Sequence, residues 1–290
     1  MEIPPCLFLR ELNFQNSMLK RLTAILVSLL LPLLMGAQQL DSTRLAPLDS
    51  LLEEYYASMT FEPLDVKYSE CDFLISSCRD SLVRQWVATR ILEHYMRDPM
   101  LMGEEAVALY VYDNWFAPGT IKIEDEVIDF EARMFAEFNR NSMIGMQAPV
   151  VAMYSPEEDS VVMPQAGRVN VLYFFDTSCA VCKQITPVLP YIFGDISIPI
   201  SLYMVYTGAD AQEWAEFRSG FSVPSEYVTV VHVSDPDFES DYQRLYGVVG
   251  TPKIYVVGTD GTIEGRRLDL DSLAAIINIY QDLSTDVQAN

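Results

Sequence analysis

The sequence predicts an α/β domain, with helices on both sides of a mixed sheet, preceded by an all-α domain. Three observations support this fold class. Near residue 140 the hydrophobic pattern changes from helical periodicity to alternating strands and helices. Cys179 and Cys182 follow an apolar β-run and open a helix. Pro252 stands directly before a late apolar strand, a position that a sheet tolerates. The 290 residues are enough for two domains.

The amino-terminal half is predicted to be helical because its apolar residues recur at helical spacing. The first helix has Pro47 in its opening turn, and the next begins at Asp80 or Ser81 as N-cap. Further helices are predicted over Glu104–Phe116 and Glu124–Phe138. The aromatic residues of this half indicate an ordinary core, with a groove for a partner as the alternative.

The carboxy-terminal half alternates between strands and helices, as expected for helices packed around a mixed sheet. The predicted elements, in order, are a hairpin over Val150–Met163, strand Val169–Phe175, helix Ala180–Phe193 kinked at Pro187, strand Ile198–Tyr206, helix Ala211–Phe221, strand Tyr227–Val233, helix Glu239–Tyr246, a hairpin that starts with Pro252–Val257, and helix Asp271–Leu283. The domain boundary is expected between Arg140 and Gly145, which gives domains over residues 38–144 and 145–283. Residues 284–290 are expected to form a frayed tail.

Cys179 and Cys182 are the candidate catalytic residues. Cys179 would lie at a helix N-terminus, where unpaired N–H groups and the helix dipole stabilise a thiolate. Two intervening residues bring Cys182 close enough to attack a mixed disulfide formed at Cys179. The spacing and the strand-to-helix context therefore indicate a dithiol redox centre, with Cys179 exposed and Cys182 recessed.

Three motifs together resemble thioredoxin: Cys179-Ala-Val-Cys182-Lys, a proline five residues after the second cysteine, and Gly250-Thr-Pro252 before a late strand. The resemblance extends from Gly145 to roughly Leu283. Within that superfamily the chain looks most like the periplasmic thiol-disulfide oxidoreductases of the TlpA/ResA type. Gly145-Met-Gln-Ala-Pro149 is similar to their opening segment, and Gly258-Thr-Asp-Gly261 to their final hairpin.

The resemblance implies a thioredoxin-like fold and an enzyme that exchanges thiols and disulfides without a cofactor. It also implies that the Thr251–Pro252 bond is cis, faces the disulfide and binds substrate. The partners would be thiols and disulfides of proteins or peptides. That the helical domain selects partners or docks to a membrane electron donor is a separate hypothesis, with no sequence motif behind it. One departure is Tyr173, which stands where thioredoxins usually have a buried aspartate.

The reaction is expected to be reduction of partner disulfides, because of the resemblance and because no histidine lies between the two cysteines. A disulfide oxidase or isomerase is one alternative. A binding protein or chaperone without catalysis, which uses the thioredoxin-like half as a scaffold, is another. A zinc site is not expected, since Cys71 and Cys78 lack the spacing of a structural zinc pair.

Cys71 and Cys78 could also pair with each other in an oxidising compartment. On one continuous helix they would be about 10 Å apart, too far for a disulfide. Pairing therefore requires a break in the helix near Ser76 or Ser77. A tentative structural disulfide and two buried free thiols both stay open at this point.

Residues 1–37 are predicted to be a secretory signal, with a basic segment, a short apolar core and small residues before Gln38. Met18 is a plausible true start. The protein is therefore expected to be periplasmic or secreted, with an uncleaved membrane anchor as the alternative. The formal charge of −22 excludes nucleic acid as a natural partner and favours solubility.

Overall fold

The computed structural model describes the backbone of residues 42–288 and the side chains of residues 48–284. The predicted secretory signal over residues 1–37 lies outside this part of the chain. The described chain divides between Arg133 and Met134 into two compact units, here called the helical unit and the sheet unit. The division falls earlier than the predicted boundary, because Asn139 at the end of a helix accepts hydrogen bonds from Arg266 and Arg267 of the sheet unit.

The helical unit consists of α-helices joined by short loops in the described part of the chain. Its helices are α1 (Ser42–Met59), α2 (Leu64–Ser77), α3 (Ser81–Arg97), α4 (Glu105–Val111), a π-helical turn (Tyr112–Phe116) and α5 (Glu126–Asn139), which continues into the sheet unit. Asp80 caps α3 by accepting the N–H groups of Leu82 and Val83. The sequence analysis did not predict α2, since it mixes buried and polar residues without a clear apolar face.

Cys71 and Cys78 are both buried and free. Helix α2 ends at Ser77 and Cys78 is extended, but no bond joins the two sulfurs, and the Cys78 thiol instead donates to the carbonyl of Leu74 at 3.3 Å. The tentative disulfide is therefore corrected to two buried thiols. Burial raises the pKa of the Cys78 thiol to about 11 and raises that of Cys71 further.

A buried ion pair joins Lys67 of α2 to Glu104, just before α4. Both side chains are almost completely removed from solvent. The Lys67 ammonium also donates to the Thr60 carbonyl at 3.0 Å, and the second Glu104 oxygen accepts the N–H groups of Met100 and Leu101. Two charges in a low-dielectric interior are thus satisfied by each other and by the backbone, which fixes the loop before α4.

Glu104→Gln is expected to lower the free energy of unfolding by about 3–5 kcal/mol, because it leaves the Lys67 charge buried without its counter-ion. Asp129→Asn, which breaks the exposed Arg133–Asp129 pair, is the matched control and should cost less than about 1 kcal/mol. Urea denaturation followed by circular dichroism measures both. An equal decrease in the free energy of unfolding in the two variants would contradict the prediction that losing the buried counter-ion costs more than losing an exposed one.

The sheet unit contains a five-stranded mixed sheet in the order β5-β4-β3-β6-β7 and a separate hairpin, β1-β2. The strands are β1 (Val151–Met153), β2 (Val161–Met163), β3 (Val169–Phe175), β4 (Ile200–Tyr206), β5 (Val228–Ser234), β6 (Lys253–Val257) and β7 (Ile263–Arg266). Strands β3, β4 and β5 are parallel, and β6 pairs antiparallel to β3. Their positions confirm the predicted mixed sheet.

Helices cover the sheet, in agreement with the predicted fold class. They are α6 (Ala180–Ile185), a 3₁₀ turn (Thr186–Val188), α7 (Leu189–Phe193), α8 (Ala211–Gly220), α9 (Tyr242–Leu245) and α10 (Leu270–Gln288). The 3₁₀ turn at Pro187 is the predicted kink. Helix α10 reaches Gln288, so the prediction that a frayed tail begins at residue 284 was wrong. No glycine or proline follows Leu283 to end the helix.

Helix α9 begins three residues later than predicted. The Asp235 carboxylate accepts the N–H groups of Glu239 and Ser240, and Asp241 adopts a left-handed φ of 56°. These two features hold residues 235–241 in a loop, and the helix starts only at Tyr242.

The central strand β3 is buried along its whole length. Its side chains alternate between two cores. Tyr173 and Phe175 face a core that includes Trp214 and Leu273, whereas Phe174 faces the other core together with Tyr246. The sheet therefore has two buried faces, as its continuous apolar strands indicate.

His232 lies on β5 with its ring edge-on to Phe217 and Phe221. Burial lowers its pKa to about 4, from 6.5 in the unfolded chain. The unfolded state then binds more protons between these pH values. The contribution of His232 to the free energy of unfolding is therefore complete above pH 6.5 and decreases as the pH falls towards 4.

We expect the free energy of unfolding of the wild type to fall by about 1–2 kcal/mol more than that of His232→Gln between pH 7 and pH 5, after allowance for partial exposure. Thermal denaturation at the two pH values tests this, and identical losses would contradict it.

Candidate redox site

Cys179 is the N-cap of α6, directly after the turn that follows β3. Its backbone is extended, and its sulfur accepts the N–H of Cys182 at 3.1 Å. The turn is held by Asp176, whose carboxylate accepts both the N–H and the hydroxyl of Ser178 at 2.6 Å. An N-cap sulfur with a backbone donor aimed at it is in a favourable position to carry negative charge.

Cys182 is buried one turn further along α6, 1% exposed, whereas Cys179 is only partly buried. No bond joins the two sulfurs in the structure. Behind Cys182 lies a hydrogen-bonded pair of hydroxyls, Tyr173 and Thr186, at 2.9 Å. Thr186 was missed by the sequence analysis, although its place four residues after Cys182 puts it on the same face of the helical segment.

The segment before β6 approaches Cys179 because β6 pairs antiparallel to β3. The thiol of Cys179 lies 3.5 Å from the carbonyl oxygen of Thr251, to which it donates. The Thr251–Pro252 bond is cis. Of the four residues predicted for the redox site, the structure thus brings Cys179, Cys182 and Thr251 into contact, with Pro252 next in the chain.

Two exposed apolar side chains lie close in sequence to Cys179 and Thr251. Val181 is 51% exposed on α6, and Val249 is 71% exposed two residues before Thr251. Neither was predicted as a site residue. Their only signal in the sequence is their closeness to Cys179 and Pro252.

The two thiols have pKa values shifted in opposite directions. Burial by itself raises the pKa of Cys179, but hydrogen bonds from the Cys182 thiol and backbone outweigh it, and the pKa is lowered. For Cys182, burial and the neighbouring Cys179 raise the pKa. The site therefore holds one thiolate-forming sulfur at the surface and one protonated thiol below it.

No group of three metal-ligating side chains occurs within residues 42–288. The described helices also include none that is long and apolar enough to cross a membrane.

Comparison with known proteins places this site in a recognisable fold. Residues 167–263 match a family profile described as thioredoxin-like. A thioredoxin-like protein from Bacteroides caccae superimposes with a TM-score of 0.61 at 14% identity, over 85% of this chain and 89% of that one. The sheet unit has a thioredoxin-like fold. The N-terminal helices agree with the predicted all-α segment before it.

Two further solved structures are similar to the thioredoxin-like half. One is the thioredoxin domain of a thiol-disulfide oxidoreductase from Bacteroides vulgatus, with 22% identity, a TM-score of 0.42, and coverage of 48% of this chain and 97% of that one. The other is a thiol:disulfide interchange protein from a Bacteroides species, with 22% identity, a TM-score of 0.41, and coverage of 49% and 92%. No curated protein sequence matches the chain.

Alkylation of the reduced protein by iodoacetamide should modify Cys179 first, with a midpoint in its pH profile below 9.0, the ordinary value for a thiol. Mass spectrometry identifies the modified residue. Cys179→Ser is the control: its remaining described thiols are buried with raised pKa values and should react slowly. A midpoint at or above 9.0 would contradict the thiolate assignment.

Proposed function

We propose that this protein is an exported thiol-disulfide oxidoreductase of the TlpA/ResA type that reduces disulfides of partner proteins. The observation that carries the proposal is the asymmetry of the two thiols. Cys179 is accessible, capped by a backbone N–H and shifted towards the thiolate, whereas Cys182 is buried and shifted towards the thiol. This is the division of roles that two-step disulfide exchange requires.

In the first step the Cys179 thiolate attacks one sulfur of the client disulfide. A Cys179–client bond forms, the client S–S bond breaks, and the second client sulfur leaves as a thiolate. In the second step Cys182 loses its proton and attacks the Cys179 sulfur, which releases the first client sulfur. The protein then holds a Cys179–Cys182 disulfide, and the client has gained two electrons and becomes a dithiol after protonation.

The charge state of Cys179 determines how readily Cys182 ionises in the second step. Its negative charge is one cause of the raised pKa of Cys182. In the mixed disulfide Cys179 carries no charge, so this cause disappears and Cys182 ionises more readily. The second thiolate is therefore favoured after a client has been bound, which limits attack by Cys182 on free oxidants.

The client is positioned by the backbone before β6. Thr251 presents its carbonyl oxygen beside Cys179. Val181, two residues after Cys179, and Val249, two residues before Thr251, provide exposed apolar surface. An extended client segment that pairs with this backbone would bring its disulfide to Cys179.

A non-catalytic client-binding protein is the second candidate. It is favoured by exposed apolar side chains of the helical unit, such as Phe61, which is 90% exposed, and Met100, which is 57% exposed. This function would need an exposed apolar surface but would not need either thiol of the thioredoxin-like half.

The reduction potential of the Cys179–Cys182 pair, measured in glutathione or dithiothreitol buffers, is the first test. A value near about −270 mV supports a reductant fed by an electron donor, and one near about −120 mV indicates an oxidase. Cys179→Ser should abolish reduction of a disulfide-bonded client, and Cys182→Ser should accumulate the mixed disulfide.

Cys71→Ala is the matched control, because it removes a buried thiol of the helical unit and should leave exchange unchanged. A wild-type pair that does not exchange with either buffer would exclude the oxidoreductase. Client binding that survives in Cys179→Ser, together with that result, would support the binding protein.

A further inference from the structure

We propose that an aromatic cavity beside the redox site receives one aromatic or large aliphatic side chain of the client polypeptide. The inference rests on the proposed function and adds a sequence preference to it. The cavity, here called the β4–β5 cavity, lies outside the carboxyl ends of β4 and β5. Its walls are formed by Tyr154, Tyr206, Thr207, Gly208, Ala209, Ala211, Trp214, Ser234, Asp235, Pro236, Phe238 and Tyr242.

The cavity and Cys179 share one edge of the sheet. Strands β3, β4 and β5 are parallel, so the turn after β3 that carries Cys179 lies next to the loops after β4 and β5. Adjacent strands are about 4.8 Å apart. A client whose cysteine is bonded to Cys179 therefore reaches the cavity within a few residues of extended chain.

Hydrogen bonds connect the cavity wall to the turn that carries the nucleophile. The hydroxyl of Tyr206 lies 3.4 Å from that of Thr177, two residues before Cys179, and Thr177 donates to Glu213 of α8 at 2.6 Å. The Tyr206 ring lies so close to Gly208 that a Cβ on this glycine would be 2.3 Å from the Tyr206 oxygen. This close contact keeps the loop against the ring.

The size and chemistry of the cavity favour a single side chain. Its volume is about 250 Å³, below the range of about 300–1,000 Å³ that is usual for sites of drug-sized ligands. Five of its twelve lining residues are aromatic, and the rings of Tyr206 and Trp214 are parallel to each other. The buried indole N–H of Trp214 finds no acceptor within the described residues.

Phe238 stands at the cavity with an unfavourable conformation. Its side chain is 73% exposed, and its φ of 57° is one that bulky residues rarely adopt. The Asp235 carboxylate fixes the loop by accepting hydrogen bonds from the backbone N–H groups of Glu239 and Ser240. An exposed aromatic ring in a constrained backbone conformation is the type of residue that contacts a ligand.

The negative charge around the cavity favours clients with basic residues next to the bound side chain. The loops over residues 207–211 and 234–242 contain five carboxylates and no lysine or arginine: Asp210, Asp235, Asp237, Glu239 and Asp241. Two arginines from outside these loops lie nearby: Arg244 pairs with Asp241, and Arg218 lies over the Trp214 ring. The other four carboxylates keep the surface acidic. A basic client segment complements this surface and avoids the repulsion that an acidic one would meet. The cavity thus favours clients with an apolar side chain near the cysteine and basic residues around it.

The test compares two lysine-flanked peptides that carry the same cysteine, activated as a mixed disulfide with thionitrobenzoate. One peptide has tryptophan three residues after the cysteine, and the other has alanine there. We expect the reduced wild type to react about tenfold faster with the tryptophan peptide. Phe238→Ala and Ala209→Trp, both at exposed positions, should bring the ratio close to one.

Tyr191→Ala is the matched control, because it removes an exposed ring of α7 that does not line the cavity and should keep the preference. Tyr191→Ala should react with free dithionitrobenzoate at the wild-type rate, and circular dichroism checks that Phe238→Ala and Ala209→Trp stay folded. Equal rates for the two peptides in the wild type would overturn the cavity proposal and leave the oxidoreductase standing. A wild type that reacts with neither peptide nor dithionitrobenzoate would overturn both. A wild-type dimer that Phe238→Ala converts to a monomer would instead assign the cavity to a second copy of the chain.

Discussion

The site depends on the pairing of β3 with neighbours of opposite direction. β4 runs parallel to β3, which gathers the carboxyl ends of the parallel strands at one edge, and β6 runs antiparallel, which brings its first residues to the same edge. Cys179 therefore meets Thr251 although 72 residues separate them in sequence. Because β3 is buried throughout, a one-residue slip would exchange the residues that face its two cores, and the register is strongly determined.

Much of this arrangement follows from local sequence signals. The β3 boundaries were predicted exactly because a continuous apolar run ends at a polar turn, and the break at Pro187 follows from the missing N–H of proline. Helix α2 was not predicted, because its buried lysine obscures the apolar pattern until the Glu104 partner is known. The start of α9 was misplaced because the Asp235 carboxylate competes for the N–H groups that would otherwise begin the helix.

Some residues of the candidate site can be predicted from the sequence, and others are found only in the structure. The two cysteines and Pro252 belong to compact motifs, so the sequence alone indicates them as candidates. The β4–β5 cavity was not foreseen, since Tyr154, Tyr206, Trp214 and Phe238 come from four separate segments and meet only through the order of the strands. The unpaired state of Cys71 and Cys78 likewise required the structure, in which the Cys78 thiol donates to the Leu74 carbonyl.

The hydroxyl pair behind Cys182 distinguishes this interior from one that contains a carboxylate. Burial raises the pKa of Tyr173 above its ordinary value, so its hydroxyl stays neutral at neutral pH, and Thr186 has no titratable proton in water. Within the described core around Cys182, the cysteines themselves are then the groups that exchange protons during oxidation. The dependence of the midpoint potential on pH consequently records the ionisation of two sulfurs, without a further inflection from a buried acid.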